Sequence, residues 1–265
     1  MIEQAAVLSA LGSLSQTVEA LVGAATGVRA GPCFDVAASY APFTDPALRA
    51  PAACVRELMS SVDLSGLHSL RTAFTYCVAK GDLQALEAFA EGAPSSTSLP
   101  PLPAGQARAL REMFGLGDGP TLTISNACAS GTIGVETASE LLAAGRVDHV
   151  VLFGFESLCR FVATGFHSLG AVSPTRARPF DRDRDGLTLG EGAALAVLSR
   201  REATSGDAIV AGAGSSNDAN HRTGPSRTGE GLHSAALAAL RDAALEPKQI
   251  GAIKCHGTAT VYNDA

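Results

Sequence analysis

The sequence predicts an α/β fold built around a parallel sheet, and three stretches predict it. Thr121 to Ala144 reads TLTISNACASGTIGVETASELLAA: five β-branched, apolar or small residues, a turn at Asn126 and Ala127, then a helix. His149 to Phe153 (HVVLF) is a second buried strand, reached through the turn Gly145-Arg146-Val147-Asp148. Strand, helix and strand in so short a span make a βαβ unit, whose strands run parallel with a right-handed crossover. Ala193 to Ser199 (AALAVLS) is a third apolar strand. The chain of 265 residues is 46% hydrophobic and 17% charged, enough apolar material for a substantial core.

From the start, Ala5 to Ala10 reads as a short strand turned by Gly12 and Ser13. Gln16 to Gly23 follows as a helix with Val18, Leu21 and Val22 on one side. Residues 30 to 65 are rich in Pro and Ala, with two short elements around Asp35–Tyr40 and Pro51–Met59. Leu67 to Lys80 is expected to be a helix, because Leu70, Phe74, Cys77 and Val78 recur at helical spacing. Ser95 to Pro103 (SSTSLPPLP) reads as a connector, and Pro103 to Phe114 as a helix before a Gly-rich turn at 115–119. Gly154-Phe155-Glu156 closes the strand that starts at His149, at the end of the sheet where Cys128 stands. Sites form at that carboxyl end in open α/β sheets. His149 is a strand residue and not a ligand, having no partner at metal-binding spacing. A second half opens with Ala208–Gly212 as a strand, then Ser215 to Asp218 and His221 to Pro225. A helix from about Gly231 to Ala244 and a strand at Ala252–Cys255 complete the chain's elements.

The composition excludes several function classes. Net charge is −6 with no Lys/Arg run, which argues against nucleic acid as the main partner. No apolar run approaches the ~18 residues of a membrane span, and no basic-plus-apolar signal opens the chain. Cys33, Cys54, Cys77, Cys128, Cys159 and Cys255 show neither a CxxC pair nor zinc spacing. That pattern fits reduced thiols and a cytoplasmic location.

Cys128 carries the chemistry. A cysteine where a strand becomes a helix faces unpaired backbone N–H groups and the positive end of the macrodipole, and both favour the thiolate. The same N–H groups could hold the oxyanion formed when that thiolate attacks a thioester carbonyl. Gly131 and Gly134 give the helix a nearly bare face on which it can lie close to the backbone below. A cysteine after a strand is commonly just a small core residue. The small residues around Cys128 favour the nucleophile.

Asn126-Ala127-Cys128-Ala129-Ser130-Gly131 resembles the nucleophile motif of the β-ketoacyl synthases, condensing enzymes of the thiolase superfamily. A second stretch, 165 to 192, is similar to the same family at Phe166, Ser173, Arg178-Pro179-Phe180-Asp181, Arg184-Asp185-Gly186 and Gly190-Glu191-Gly192. By composition alone the alternating Arg and Asp would be a solvated loop with weak ion pairs. Its glycines are not a P-loop, since no Gly-Lys-Ser/Thr follows. The third stretch, His256-Gly257-Thr258-Ala259-Thr260 with Asn263-Asp264, resembles the family's His-Gly-Thr-x-Thr segment. A His-Gly-Thr also occurs in subtilisin-like proteases, but no Gly-Thr-Ser setting or upstream Asp motif accompanies it here.

The resemblance implies a thiolase-like layered αβαβα fold, with a complete N-terminal half at 1–205 and the start of a C-terminal half at 206–265. It implies that Cys128 takes an acyl group from a carrier thioester and that His256 donates to the extender's thioester oxygen. Thr258 and Thr260 would bond the phosphopantetheine arm of an acyl carrier protein, and Phe166 would line the acyl pocket. Asp181, Arg184, Asp185, Glu191, Asn263 and Asp264 would brace the site. No metal or redox cofactor is implied. A homodimer, or a heterodimer with a related subunit, is implied, formed through strand 149–153 and Phe155 to Phe166. The family's downstream acidic residue, Lys, second catalytic His and Gly-rich loop are not in these residues, so a truncated synthase without condensing activity of its own is expected. Two alternatives stay open: a non-condensing, chain-length-factor-like partner, and a Cys/His acyltransferase or thioester hydrolase.

Overall fold

A computed structural model describes residues 1–23, 25–93, 102–205, 207–220 and 226–265. Residues 95–101 of the expected connector at 95–103, and residues 221–225, lie outside the described residues. Strands β1 (Ile2–Ser9) and β2 (Gly12–Ser13) form a hairpin, followed by α1 (Leu14–Val22). Strands β3 (Arg29–Cys33) and β4 (Val36–Ala41) form a second hairpin, turned by Phe34 and Asp35 at positive φ. Helix α2 (Pro51–Met59) starts with a proline at its first position, where the missing N–H costs nothing. Next come β5 (Thr72–Cys77), α3 (Leu83–Ala90), α4 (Pro103–Met113) and β6 (Thr121–Ile124). Helix α5 (Ser130–Ala143), β7 (His149–Glu156), α6 (Arg160–Ser168), β8 (Leu189–Gly190), β9 (Gly192–Ser199) and α7 (Glu230–Asp242) complete the order.

The main sheet has the order β2-β1-β9-β7-β5-β6, and a small one has the order β3-β4-β8. Within the main sheet β5 is parallel to both β6 and β7, while β9 is antiparallel to β7 and to β1. Side chains alternate across it. Phe74, Tyr76, Val151, Phe153, Leu195 and Val197 face Cys54, Val55, Leu58, Ala107 and Leu110 of α2 and α4. Ala73, Cys77, Val150, Leu152 and Leu198 face Ala138 and Leu142 of α5. Helices therefore cover both faces, as parallel strands require. Phe114 at the end of α4 packs against Phe74 and Phe153 at ring-centroid distances of 5.6 and 5.4 Å, fixing that helix to the sheet.

The expected helix at Leu67–Lys80 is instead β5, the strand between β6 and β7. Every residue from Thr72 to Cys77 is buried, so the run lacks the alternation of a half-buried strand and mimics helical spacing. Its β-branched and aromatic content (Thr72, Phe74, Thr75, Tyr76) is the strand signal that spacing masked. Strand β6 is parallel to β7 as expected, but β5 lies between them, and β6 is a half-buried edge strand, not a buried one. Strands expected at 208–212 and 252–255 do not form. Ala208 makes one isolated bridge to Ile2, and 251–260 has no sheet partner among the described residues. Ile209 and Ile253 are exposed accordingly. The expected helix after 230 is present as α7, against which Gly212 and Gly214 press so closely that a Cβ at either would meet its backbone at 2.5 Å. No helix among the described residues is long and apolar enough to cross a membrane.

A buried guanidinium ties the nucleophile strand to its neighbour. Arg111 donates from Nη1 to the Pro120 carbonyl at 2.9 Å and from Nη2 to the Thr72 carbonyl at 3.1 Å. Its Nε donates to Gly117 O at 2.5 Å, closing the Gly-rich turn that leads into β6. Gly119 sits so close to the Thr72 carbonyl that a Cβ there would lie 2.2 Å from it.

Of the two glycines on α5, only Gly134 makes the expected close approach. A Cβ there would lie 2.3 Å from Cys77 Sγ, whereas Gly131 faces open space. Gly134→Ala should therefore destabilise the protein by about 1–3 kcal/mol through overpacking. Removing the sulfur in a Cys77→Ala/Gly134→Ala double variant should restore most of that loss. Denaturant midpoints for the two singles and the double measure the coupling, and strictly additive losses would show that the contact is not the cause.

Candidate active site

Because β5, β6 and β7 run the same way, their carboxyl ends meet at one edge. There the Val78 N–H donates to Ile124 O at 3.0 Å, Ser125 Oγ donates to Ala79 O at 2.9 Å, and the Ala79 N–H donates to the Glu156 carboxylate. The chain leaves β6 through Asn126 and Ala127, the latter at φ +46°, a left-handed conformation unusual for a residue with a Cβ. A 3₁₀ turn at Ala127–Ala129 runs directly into α5. Cys128 thus lies within the turn that feeds the helix, two residues ahead of its first residue, and is exposed.

Exposure sorts the six thiols. Burial pushes Cys54 up to about 12, with Glu191 and Glu57 adding to it, and pushes Cys77 and Cys159 up to about 11. Cys33 is raised for the same first reason. A buried thiol with a raised pKa supplies almost no thiolate. Cys128 and Cys255 are the two in contact with solvent.

The loop after α6 and the His256 segment are brought together. Arg184 donates from Nε to Thr260 O at 3.2 Å, from Nη2 to Val261 O at 2.8 Å and from Nη1 to Asp181 O at 3.0 Å. The Gly186 N–H donates to Ala259 O at 3.1 Å. Asp264, buried, accepts through one oxygen from the N–H groups of Phe180 (3.0 Å) and Ala259 (2.9 Å). Both donors have positive φ, +61° and +60°, so a single carboxylate holds one strained residue on each strip of chain. Asn263 Nδ2 donates to its other oxygen at 2.9 Å. Thr258 and Thr260 hydroxyls lie 2.9 Å apart and bond each other. Asp181 accepts from the Asp183 N–H at 2.7 Å, and Asp185 pairs with Arg178 at 3.6 Å.

Glu191 braces a different seam. Its side chain is wholly buried, accepts from the Phe43 N–H (2.7 Å) and the Leu158 N–H (2.9 Å), and pairs with Arg49 at 3.0 Å. It joins the start of β9 to the ends of β4 and β7. Phe166 is half-buried on α6 in the cluster of Cys33, Ala38, Leu158, Ala163, Val172 and Leu189, beside the small sheet. Neither Cys128 nor His256 makes a side-chain hydrogen bond or ion pair among the described residues, and both are exposed. The expected interface strand, 149–153, is flanked on both sides by β5 and β9 and has no free edge. Among the described residues the outer edge of β6 is unpaired. Sequence reasoning passed over Arg111 and Arg49, and named Ser130 only as one residue of the nucleophile motif. A lone Arg between Leu110 and Phe114 on the apolar side of a helix was the available signal for the first.

The family model described as "Beta-ketoacyl synthase, N-terminal domain" matches residues 22–204, and "Beta-ketoacyl synthase, C-terminal domain" matches 207–265. The 3-oxoacyl-[acyl-carrier-protein] synthase 2 of Vibrio cholerae is 39% identical over 158 residues, 55% of this chain and 38% of that protein. The protein of the same name from Rhizobium meliloti is 38% identical, covering 54% and 37%. The chain thus matches under two fifths of the length of these relatives. A structure of a ketosynthase in complex with its chain length factor from Xenorhabdus doucetiae superposes with TM-score 0.88 at 26% identity, over 99% of this chain and 72% of that one. A β-ketoacyl synthase from Burkholderia phymatum gives 0.84 at 27%, over 99% and 74%.

The Asp264 clamp has a pH signature. Burial works to raise its carboxyl, but the Asn263 amide and the backbone N–H groups of Phe180, Ala259 and Thr258 hold it below the ordinary aspartate value. Its stabilisation is therefore complete above that ordinary value and fades as pH falls through the lowered one. Asp264→Ala should be less stable than the native chain at neutral pH, with the difference shrinking on acidification. Denaturant melts across the acid range check this, and a gap that stays constant to strongly acid pH would contradict it.

Proposed function

Because this chain belongs to the β-ketoacyl synthase family, we propose that it supplies the acyl-accepting half of a decarboxylative condensation. The observation that carries the proposal is Cys128, an exposed thiol on a strained turn above the carboxyl ends of three parallel strands. In this reading the Cys128 thiolate attacks the carbonyl of a carrier-bound acyl thioester, the new C–S bond forms, and the carrier thiol leaves with a proton. A malonyl thioester then loses CO2, and the electron pair of the broken C–C bond becomes an enolate. The enolate carbon attacks the acyl-enzyme and expels Cys128 as thiolate, leaving a 3-oxoacyl chain on the carrier. His256 stabilises the enolate by donating to its oxygen. Thr258 and Thr260 orient the phosphopantetheine arm, and Phe166 bounds the acyl chain. Arg184 and Asp264 keep the two strips of chain in register, Asp181, Asp185 and Asn263 brace them locally, and Glu191 holds the seam between β4, β7 and β9.

The names of the curated relatives support an acyl carrier protein as the partner. The chemistry needs no metal or redox cofactor, since the acyl groups arrive on phosphopantetheine, and a cytoplasmic setting belongs to the same reading. Residues 1–205 and 206–265 are assigned to two thiolase-like halves. A homodimer, or a heterodimer with a related ketosynthase subunit, would cover the open edge of β6, which is otherwise a liability in water. Sedimentation should then show a dimer at micromolar concentration, with an interface above ~1,000 Å².

Incubation with a short-chain acyl thioester, followed by intact-mass measurement, should add one acyl group, and Cys128→Ala should abolish it. Malonyl-dependent formation of a 3-oxoacyl product, by the chain with whatever partner completes it, should fall ~10²–10³-fold in His256→Ala. Acylation that turns over to free acid without malonyl carrier would identify a hydrolase instead. No acylation under any condition would identify a non-condensing partner.

A further inference from the structure

Serine at the start of a helix commonly caps it, its oxygen accepting one of the unpaired N–H groups of the first turn. Helix α5 has no such cap. Ser130, its first residue and buried, turns its hydroxyl back onto the preceding turn instead. There Oγ accepts the Asn126 N–H at 2.8 Å. It donates its single hydrogen to the Ala127 carbonyl at 2.7 Å, with the Val78 carbonyl at the end of β5 also in reach at 3.3 Å. The first two groups bracket Ala127, the residue at φ +46°, the third ties the same hydroxyl to the strand end, and Cys128 follows Ala127 directly. Without an anchor, an L-residue there relaxes to negative φ, and the thiol moves with the peptide.

The geometry points to Ser130 as a positioning residue for Cys128, its hydroxyl holding the left-handed turn that presents the thiol at the sheet's carboxyl edge. This rests on the reading of Cys128 as the nucleophile. It adds that the reactive geometry is set by a hydroxyl two residues downstream, through the strained residue one step upstream. The hydroxyl does not touch substrate, so its loss changes how often the thiol is correctly placed and not the chemistry once it is.

Cys255 is the built-in reference, an exposed thiol remote in sequence and unconnected to Ser130 by any hydrogen bond. Iodoacetamide alkylation, read at both sites by peptide mass spectrometry in one sample, gives the Cys128/Cys255 rate ratio. In Ser130→Ala the ratio should drop about five- to thirtyfold, the penalty of one left-handed L-residue without its clamp. Ser130→Thr, which keeps the hydroxyl, should retain the native ratio. Ala127→Gly added to Ser130→Ala should recover much of it, because glycine holds positive φ without help. If Ser130→Ala is insoluble, Ser130→Cys keeps the volume but accepts an N–H poorly, and it should lose the ratio in the same way. An unchanged ratio in Ser130→Ala or Ser130→Cys overturns the inference, as does equal loss in Ser130→Thr. A native Cys128 no faster than Cys255 counts instead against the nucleophile itself.

Discussion

Three neighbouring strands that run in one direction cannot be joined by tight turns. Each of β5, β6 and β7 must return to the far end of the sheet before the next begins, and the chain between them has to pack on a face. That constraint places α4 on one face and α5 on the other, and it leaves the three carboxyl ends together with no hairpin to cover them. The free N–H and C=O groups at that edge are what Ser125, Ala79 and Glu156 use to bind the strand ends to one another. The nucleophile turn stands on this platform.

Around the platform, charged side chains are spent on backbone groups more than on each other. Arg111 satisfies carbonyls from β5 and from the turn before β6. Arg184 satisfies carbonyls on both sides of the loop it braces. Asp264 and Glu191 each gather two N–H groups from distant parts of the chain. Where such a charge is buried, as in Arg111, Glu191 and Asp264, it is a geometric constraint: removing it leaves several polar groups unpaired at once, which costs more than the net worth of any one bond. The irregular segments are held in place by these four residues without regular secondary structure.

Much of the fold was legible because local signals and global role agreed. The helix at 103 carries a periodicity that burial on the sheet then rewards, while the strands at 121 and 149 are short β-branched or apolar runs bounded by turns. Strand β5 was misread because burial on both faces erases the alternation from which strands are recognised. The segments at 208–212 and 252–255 have strand composition, yet composition supplies no neighbour, and a ladder needs one. In the site, motif residues were legible and their partners were not. Asp264 could be named, but that its oxygen reaches Phe180 across 84 positions is a property of the folded chain alone. Ser130 was visible as part of a motif, while its reversal onto Ala127 depends on a backbone angle that no residue type announces.

The division of the thiols has a practical meaning. Four are sealed among core residues and two face water, so the native protein offers an alkylating reagent two handles and the unfolded chain offers six. The sealed ones are spread over separate layers: Cys54 on the buried side of α2, Cys77 beneath α5, Cys33 at the end of β3 in the small sheet and Cys159 at the start of α6. Each layer thus contains its own timer, and the order in which the masked sulfurs become labelled traces which part of the molecule breathes first.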